Sequence, residues 1–130
     1  MTNFKFTYII DDDAIFVLVF KKILASIQQF QNINAAKNGF EALENLKQLH
    51  ENKQTLPDII FLDLNMPVLD GWQFLDEIEN LSFKNELNIH LISSTIDLNE
   101  INKAKKYDIV KSFIQKPTSA KQLLESLNVL

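Results

Sequence analysis

Short unbroken apolar runs alternate five times with longer amphipathic stretches along this chain, and few architectures can absorb that order. Phe6–Ile10, Ile33–Ala36, Asp58–Leu62, Ile89–Ser93 and Ser112–Gln115 read as strands. Ala14–Phe30, Gly39–Asn52, Gly71–Leu81, Leu98–Lys106 and Ala120–Leu127 read as helices. A strand apolar on both faces needs cover on both, and parallel strands get it from their crossover helices. The series therefore predicts an α/β domain with a doubly wound parallel sheet and helices on either side. At 130 residues the chain suits one domain with an ordinary core. Helix starts are marked by capping-box spacing at Asp70–Gln73, Asp97–Glu100 and Ser119–Gln122, and by Asn38-Gly39 before the second helix.

The order of elements also predicts where chemistry should sit. In open α/β sheets the site lies outside the carboxyl ends of the strands. Asp11 and Asp12 end the first strand, Asp63 follows the third, Ser93 ends the fourth and Lys116 follows the fifth. One of Asp11-Asp12-Asp13 can cap the first helix, and Asp13 is best placed to do so. That leaves two acids with no structural task. Crowded carboxylates raise one another's pKa unless a cation neutralises them. A hard ion such as magnesium takes oxygen ligands, keeps several waters and commonly shares its site with a phosphate. Lys116 reads as a counter-ion for that anion. Ser93 and Ser94 read equally as loop hydroxyls, and Asn65 as a turn residue.

Bulk properties remove other classes. The net charge of -4, from 13 basic and 17 acidic residues, leaves no basic footprint for binding nucleic acid directly. Cysteine is absent, so neither a disulfide framework nor a thiolate metal site is available. Neither a signal peptide nor a membrane-length apolar stretch is visible, so the expectation is a soluble cytoplasmic protein without membrane insertion.

The segments Ile9-Ile10-Asp11-Asp12-Asp13, Leu62-Asp63-Leu64-Asn65-Met66-Pro67, Asp70-Gly71, Ile92-Ser93-Ser94 and Lys116-Pro117 closely resemble the receiver domain of two-component response regulators. The likeness runs over about residues 5 to 128. It implies a flavodoxin-like fold with strand order 2-1-3-4-5, and a single receiver domain over 1–130 without an output domain. It also implies that Asp63 accepts a phosphoryl group from a sensor histidine kinase or a histidine phosphotransfer protein. By the same resemblance, Asp12 and Asp63 ligate Mg2+ directly, the Asn65 carbonyl is a third ligand, and Asp11 acts through a metal-bound water. Lys116 pairs with the phosphoryl oxygens, over a cis bond to Pro117, and the Ser93 hydroxyl binds the phosphoryl group once present. Ser93 and Phe113 then form the switch that repacks the face made by the fourth helix, fifth strand and fifth helix towards an unknown downstream protein. Two departures stand out: Ser93 where Thr is common, and Ile109-Val110 where a small pair is common.

The seven-residue apolar run Ala14-Ile15-Phe16-Val17-Leu18-Val19-Phe20 is too long to face the sheet entirely. Phe16, Val19 and Phe20 are assigned to the core, which leaves Ile15, Val17 and Leu18 towards solvent. Ile15 and Leu18, with Pro117, are then expected to dock the histidine-bearing partner. Two competing readings are a degenerate receiver that only binds protein and a Mg2+-dependent aspartyl phosphohydrolase. The second is disfavoured by Asn65, which stands where such enzymes carry a second acid. No independent substrate turnover is expected.

Overall fold

Aliphatic and aromatic residues fill five short strands, and each strand is followed by a helix that carries one apolar face to cover it. A computed structural model describes residues 3–95, 97–116 and 118–127. The elements are β1 (Thr7–Ile10), α1 (Ala14–Ala25), β2 (Ile33–Ala36), α2 (Gly39–Glu51), β3 (Ile59–Asp63), α3 (Gly71–Glu79), a 3₁₀ turn (Lys84–Glu86), β4 (Ile89–Ser93), α4 (Leu98–Ala104), β5 (Val110–Gln115) and α5 (Ala120–Ser126). All strand pairs are parallel and the order is β2-β1-β3-β4-β5, the expected flavodoxin-like arrangement. The winding reverses between β1 and β3, so their carboxyl ends form the topological switch point.

Two apolar layers sandwich the sheet. Phe20 and Leu24 of α1 and Leu123 of α5 pack with Ile9, Ile59 and Phe61. On the other face, Leu43 and Leu46 of α2 and Phe74 and Ile78 of α3 pack with Ile10, Leu62 and Leu91. Each such side chain contributes roughly 1.5–3 kcal/mol on leaving water. Every residue of β1 and β3 is buried, which fixes the two strands that carry the acids.

The sequence reading of α1 needs correction. The helix stops at Ala25 and does not reach Phe30. Ser26 turns its hydroxyl back onto the Ile23 carbonyl at 2.6 Å. Beyond it, Phe30 stacks on Phe4 with ring centroids 5.1 Å apart, and the Phe4 N–H donates to the Gln29 carbonyl at 2.7 Å. Extra apolar contact outside the helix outweighs its continuation. β5 also starts earlier than expected, at Val110, with a register shift against β4 between Ile89 and His90.

Caps follow the sequence signals. Asp13 accepts the Ile15 and Phe16 N–H groups, both at 3.1 Å. Asp70 and Ser119 form complete capping boxes with Gln73 and Gln122. At α4 only half the box exists: Asp97 accepts the Glu100 N–H at 2.8 Å, and one buried Glu100 oxygen has no hydrogen-bond partner. Among the described residues no helix is long and apolar enough to cross a membrane.

Candidate functional site

Each strand positions its polar residue by ending where it does. Asp63 is the last residue of β3, paired with Ile92, and Ser93 is the last residue of β4, paired with Gln115. Asp11 follows β1 directly, and its N–H donates to the Ala36 carbonyl at 3.1 Å. The Lys116 N–H donates to the Ser93 carbonyl at 2.8 Å, which brings the end of β5 to the end of β4. Asp11, Asp63 and Ser93 are buried, whereas Asp12 is exposed.

These placements bring the predicted acids together. Carboxylate oxygens of Asp11, Asp12 and Asp63 lie within 4.8 Å of one another. The Lys116 ammonium sits 2.7 Å from Asp11 Oδ2 and 3.6 Å from Asp63 Oδ1. Asp11 Oδ2 is buried and has no hydrogen bond, so the ion pair with Lys116 is what holds it. Its other oxygen accepts the Asp13 N–H at 2.9 Å. The Asn65 N–H donates to Asp63 Oδ1 at 3.3 Å. The Asn65 side-chain amide donates to Ser93 Oγ at 3.5 Å, and the Thr95 N–H donates to the same oxygen at 3.2 Å.

Burial pushes the Asp63 carboxyl up from 3.8 to about 6, and the negative charge of Asp11 adds to the shift. Lys116 and the Asn65 N–H pull the other way without cancelling it. Three carboxylates face one ammonium here, so the pocket holds more negative charge than its own residues neutralise. An all-oxygen donor set with surplus negative charge fits a hard divalent cation.

Around the pocket, the apolar surface differs from the sequence assignment in one respect. Ile15 is 77% exposed and Leu18 57% exposed, as expected. Val17, however, is half-buried against the α1–α5 layer, and Val19 is 51% exposed in its place. The helix turns its 16, 17, 20 edge to the sheet, so 15, 18 and 19 form one outward stripe. Among the described residues, the other large exposed apolar side chains are Phe40, Val68 and Leu98. They lie in the first turns or loops that follow β2, β3 and β4, so all six sit at the carboxyl end of the sheet. Phe113 is half-buried on β5 and borders a depression of about 180 Å³ shared with Ile101 and Ala104 of α4. Pro117, assigned above to a cis bond and to docking, lies outside the described residues.

Two participants were not singled out from the sequence. An open cleft of about 340 Å³ extends the pocket past Asp12 towards Lys37 and Glu41. Lys37 follows β2 directly, so the strand-end argument that selected Lys116 applies to it as well. The second is Phe16, whose ring centroid lies 4.2 Å from the Lys116 ammonium. Its helical spacing marks it only as core, and no sequence signal separates the two roles.

Residues 7–128 match the response regulator receiver domain family. The chemotaxis protein CheY of Bacillus subtilis is 31% identical over 120 residues, covering 92% of each chain. A protein-glutamate methylesterase/protein-glutamine glutaminase of Methanosarcina acetivorans is 38% identical over 76 residues, 58% of this chain. That match covers 20% of the longer protein, so the chain corresponds to only a fraction of it. A two-component response regulator from Cytophaga hutchinsonii superposes with a TM-score of 0.88 at 28% identity, covering 97% of this chain and 96% of that one.

Proposed function

The chain belongs to the response regulator receiver domain family, and we propose that within it Asp63 is a working phosphoacceptor. A carboxylate oxygen of Asp63 attacks phosphorus, the P–N bond of a phosphohistidine breaks, and an aspartyl phosphate and free imidazole result. The donor is a sensor histidine kinase or a histidine phosphotransfer protein, or a small molecule such as acetyl phosphate. The observation that carries this reading is the convergence of Asp11, Asp12 and Asp63 on one point beside the Lys116 ammonium.

Phosphoryl transfer asks little of a protein beyond positioning and neutralising charge on the transferring oxygens. Asp12 and Asp63, with the Asn65 carbonyl, would hold Mg2+, and Asp11 would act through its water. When bound, the ion supplies positive charge against the phosphoryl oxygens. Lys116 supplies a second positive group, already 3.6 Å from the acceptor. Ser93, fully buried and linked through Asn65 to Asp63, would hydrogen-bond the phosphoryl group.

The switch would run from Ser93 to Phe113. The depression beside Phe113, between α4 and β5, gives its ring somewhere to go. Phosphorylation then biases a two-state packing on the α4–β5–α5 face and so selects a downstream protein. The stripe Ile15, Leu18 and Val19 beside the pocket supports docking of the histidine-bearing partner there. Work of this kind belongs in the cytoplasm.

Incubation with acetyl phosphate and Mg2+, followed by intact mass measurement, tests the reading. One phosphoryl group should add to the protein, and Asp63→Asn should abolish the gain. Undiminished labelling of that variant would place the acceptor elsewhere.

A further inference from the structure

We propose that Phe16 is a positioning residue for Lys116, its ring face holding the ammonium over the acidic pocket before a phosphoryl group arrives. This role rests on the reading of Asp63 as the acceptor.

The Lys116 side chain is only 14% exposed, so its ammonium has given up most of its water. Asp11 and Asp63 replace part of that hydration from one side, at 2.7 and 3.6 Å. The Phe16 ring lies beneath it, 4.2 Å from ammonium to centroid. An aromatic face attracts a cation through its quadrupole and attracts it more strongly when water is excluded. It does so without carrying charge. A third carboxylate in the same place would neutralise the lysine further, and water would screen it. The ring restrains the ammonium without adding a further negative group to those of Asp11 and Asp63.

The ring itself is anchored. Phe16 stacks on Phe20 with centroids 5.2 Å apart and planes at 21°. Phe20 is fully buried and meets Phe61 edge-on at 5.0 Å and 86°. Phe61 lies in β3, the strand that ends in Asp63. A continuous aromatic path thus ties the lysine to the acceptor's own strand. A free lysine side chain has several rotatable bonds to freeze, and this contact freezes them in advance. Filling the core explains Phe20. It does not explain why Phe16, half-buried at the rim, turns its face to the Lys116 ammonium.

Two measurements on Phe16→Leu and Phe16→Tyr test the role. The first is acetylation of Lys116 by low-dose acetic anhydride, read by peptide mass spectrometry against exposed Lys22 and Lys53 in the same molecules. The second is the rate of Asp63 labelling by acetyl phosphate and Mg2+. Phe16→Leu keeps an apolar side chain and loses the ring, so Lys116 should acetylate about tenfold faster relative to the reference lysines. Labelling should slow by about tenfold, or about 1.4 kcal/mol in the barrier. Phe16→Tyr keeps the ring and should restore both. Unchanged Lys116 reactivity in Phe16→Leu, unchanged labelling in that variant, or an equal defect in Phe16→Tyr would each overturn the proposal. If the unsubstituted protein takes no label, the acceptor reading fails first. The acetylation arm then still shows whether the ring holds the lysine.

Discussion

Asp58 stands just before β3 and Asp63 closes it, so one strand separates two aspartates at opposite ends of the sheet. Asp58 is exposed, and its carboxylate accepts the Phe6 N–H at 3.0 Å. Its own N–H donates to the Phe6 carbonyl at 2.9 Å. That reciprocal pair fastens the entry of β1 to the entry of β3. Asp63 is buried, shares its surroundings with two other acids, and is pushed up to about 6. Residue type and strand are constant here, and the end of the strand is not. At the amino end an aspartate closes backbone bonds; at the carboxyl end of the switch point it stores unneutralised charge.

The largest expected difference is in the pH dependence of stability without metal. Asp63 is raised from 3.8 to about 6, so in that window the folded state holds a proton that the unfolded chain has released. Its contribution to stability is full below 3.8 and is lost as pH rises through about 6. At neutral pH the ionised Asp63 therefore costs up to about 3 kcal/mol. His90 has the opposite sign. Burial, with Lys111 adding to it, lowers it from 6.5 to about 4. Its contribution is full above 6.5 and is lost as pH falls through about 4. The two slopes oppose each other, so in urea unfolding in EDTA each partly offsets the other over this range. Asp63→Asn should make stability rise more with pH than in the unsubstituted protein, as the His90 limb does, and should stabilise the protein at neutral pH. Asp58→Asn should do neither. Matching profiles for the two Asn variants would break the contrast between the strand ends.

Magnesium affinity sharpens the same contrast. Asp12→Ala should weaken binding by about tenfold or more, Asp11→Ala by less, and Asp58→Ala not at all, as measured by titration calorimetry. Equal losses for Asp11 and Asp12 would contradict the division into direct and water-mediated ligands. The apolar surface offers a third comparison. Replacing Ile15 and Leu18 by Ser should slow transfer from a phosphorylated histidine partner by about tenfold, about 1.4 kcal/mol. Labelling by acetyl phosphate, which needs no docking, should hold steady. An equal slowing of both donors would return the stripe to the fold. The smallest effect belongs to the structural acid: Asp58→Ala should cost about 1 kcal/mol in chemical denaturation and leave labelling intact.

Strand ends were the legible part of this molecule. Apolar runs report burial, and the polar residue at or just past the end of each run lies at the pocket, so the placement of Asp11, Asp63, Ser93 and Lys116 is legible without coordinates. Helix starts were legible for a related reason, because a cap is a local bond between neighbours. Helix ends were less so. α1 stops at Ala25 because Phe30 pairs with Phe4, a contact between distant segments that periodicity cannot carry. The exchange of Val17 for Val19 has the same origin. A run apolar on every side contains no phase, and packing against the sheet chose one. Phe16 was assigned to the core on spacing, and nothing local distinguishes a ring that packs only on rings from one that also faces an ammonium.

Gly71 shows how the pocket is mounted. A Cβ there would lie 2.7 Å from Leu64 Cα and 2.8 Å from the Asp63 carbonyl oxygen, both backbone atoms with little freedom to yield. The Gly71 N–H also donates to the Leu64 carbonyl at 3.0 Å. The start of α3 is thus seated directly on the main chain that bears the acceptor. In mechanical terms β1, β3 and α3 form a fixed jaw. The opposing jaw is β4 and β5, in regular register where Ser93 meets Gln115. Under the switch proposed above, Asp63 has little room to move on the Gly71 side, and the change would pass across Ser93 to β5. A larger residue at position 71 would have to displace that main chain, and the acceptor would move with it.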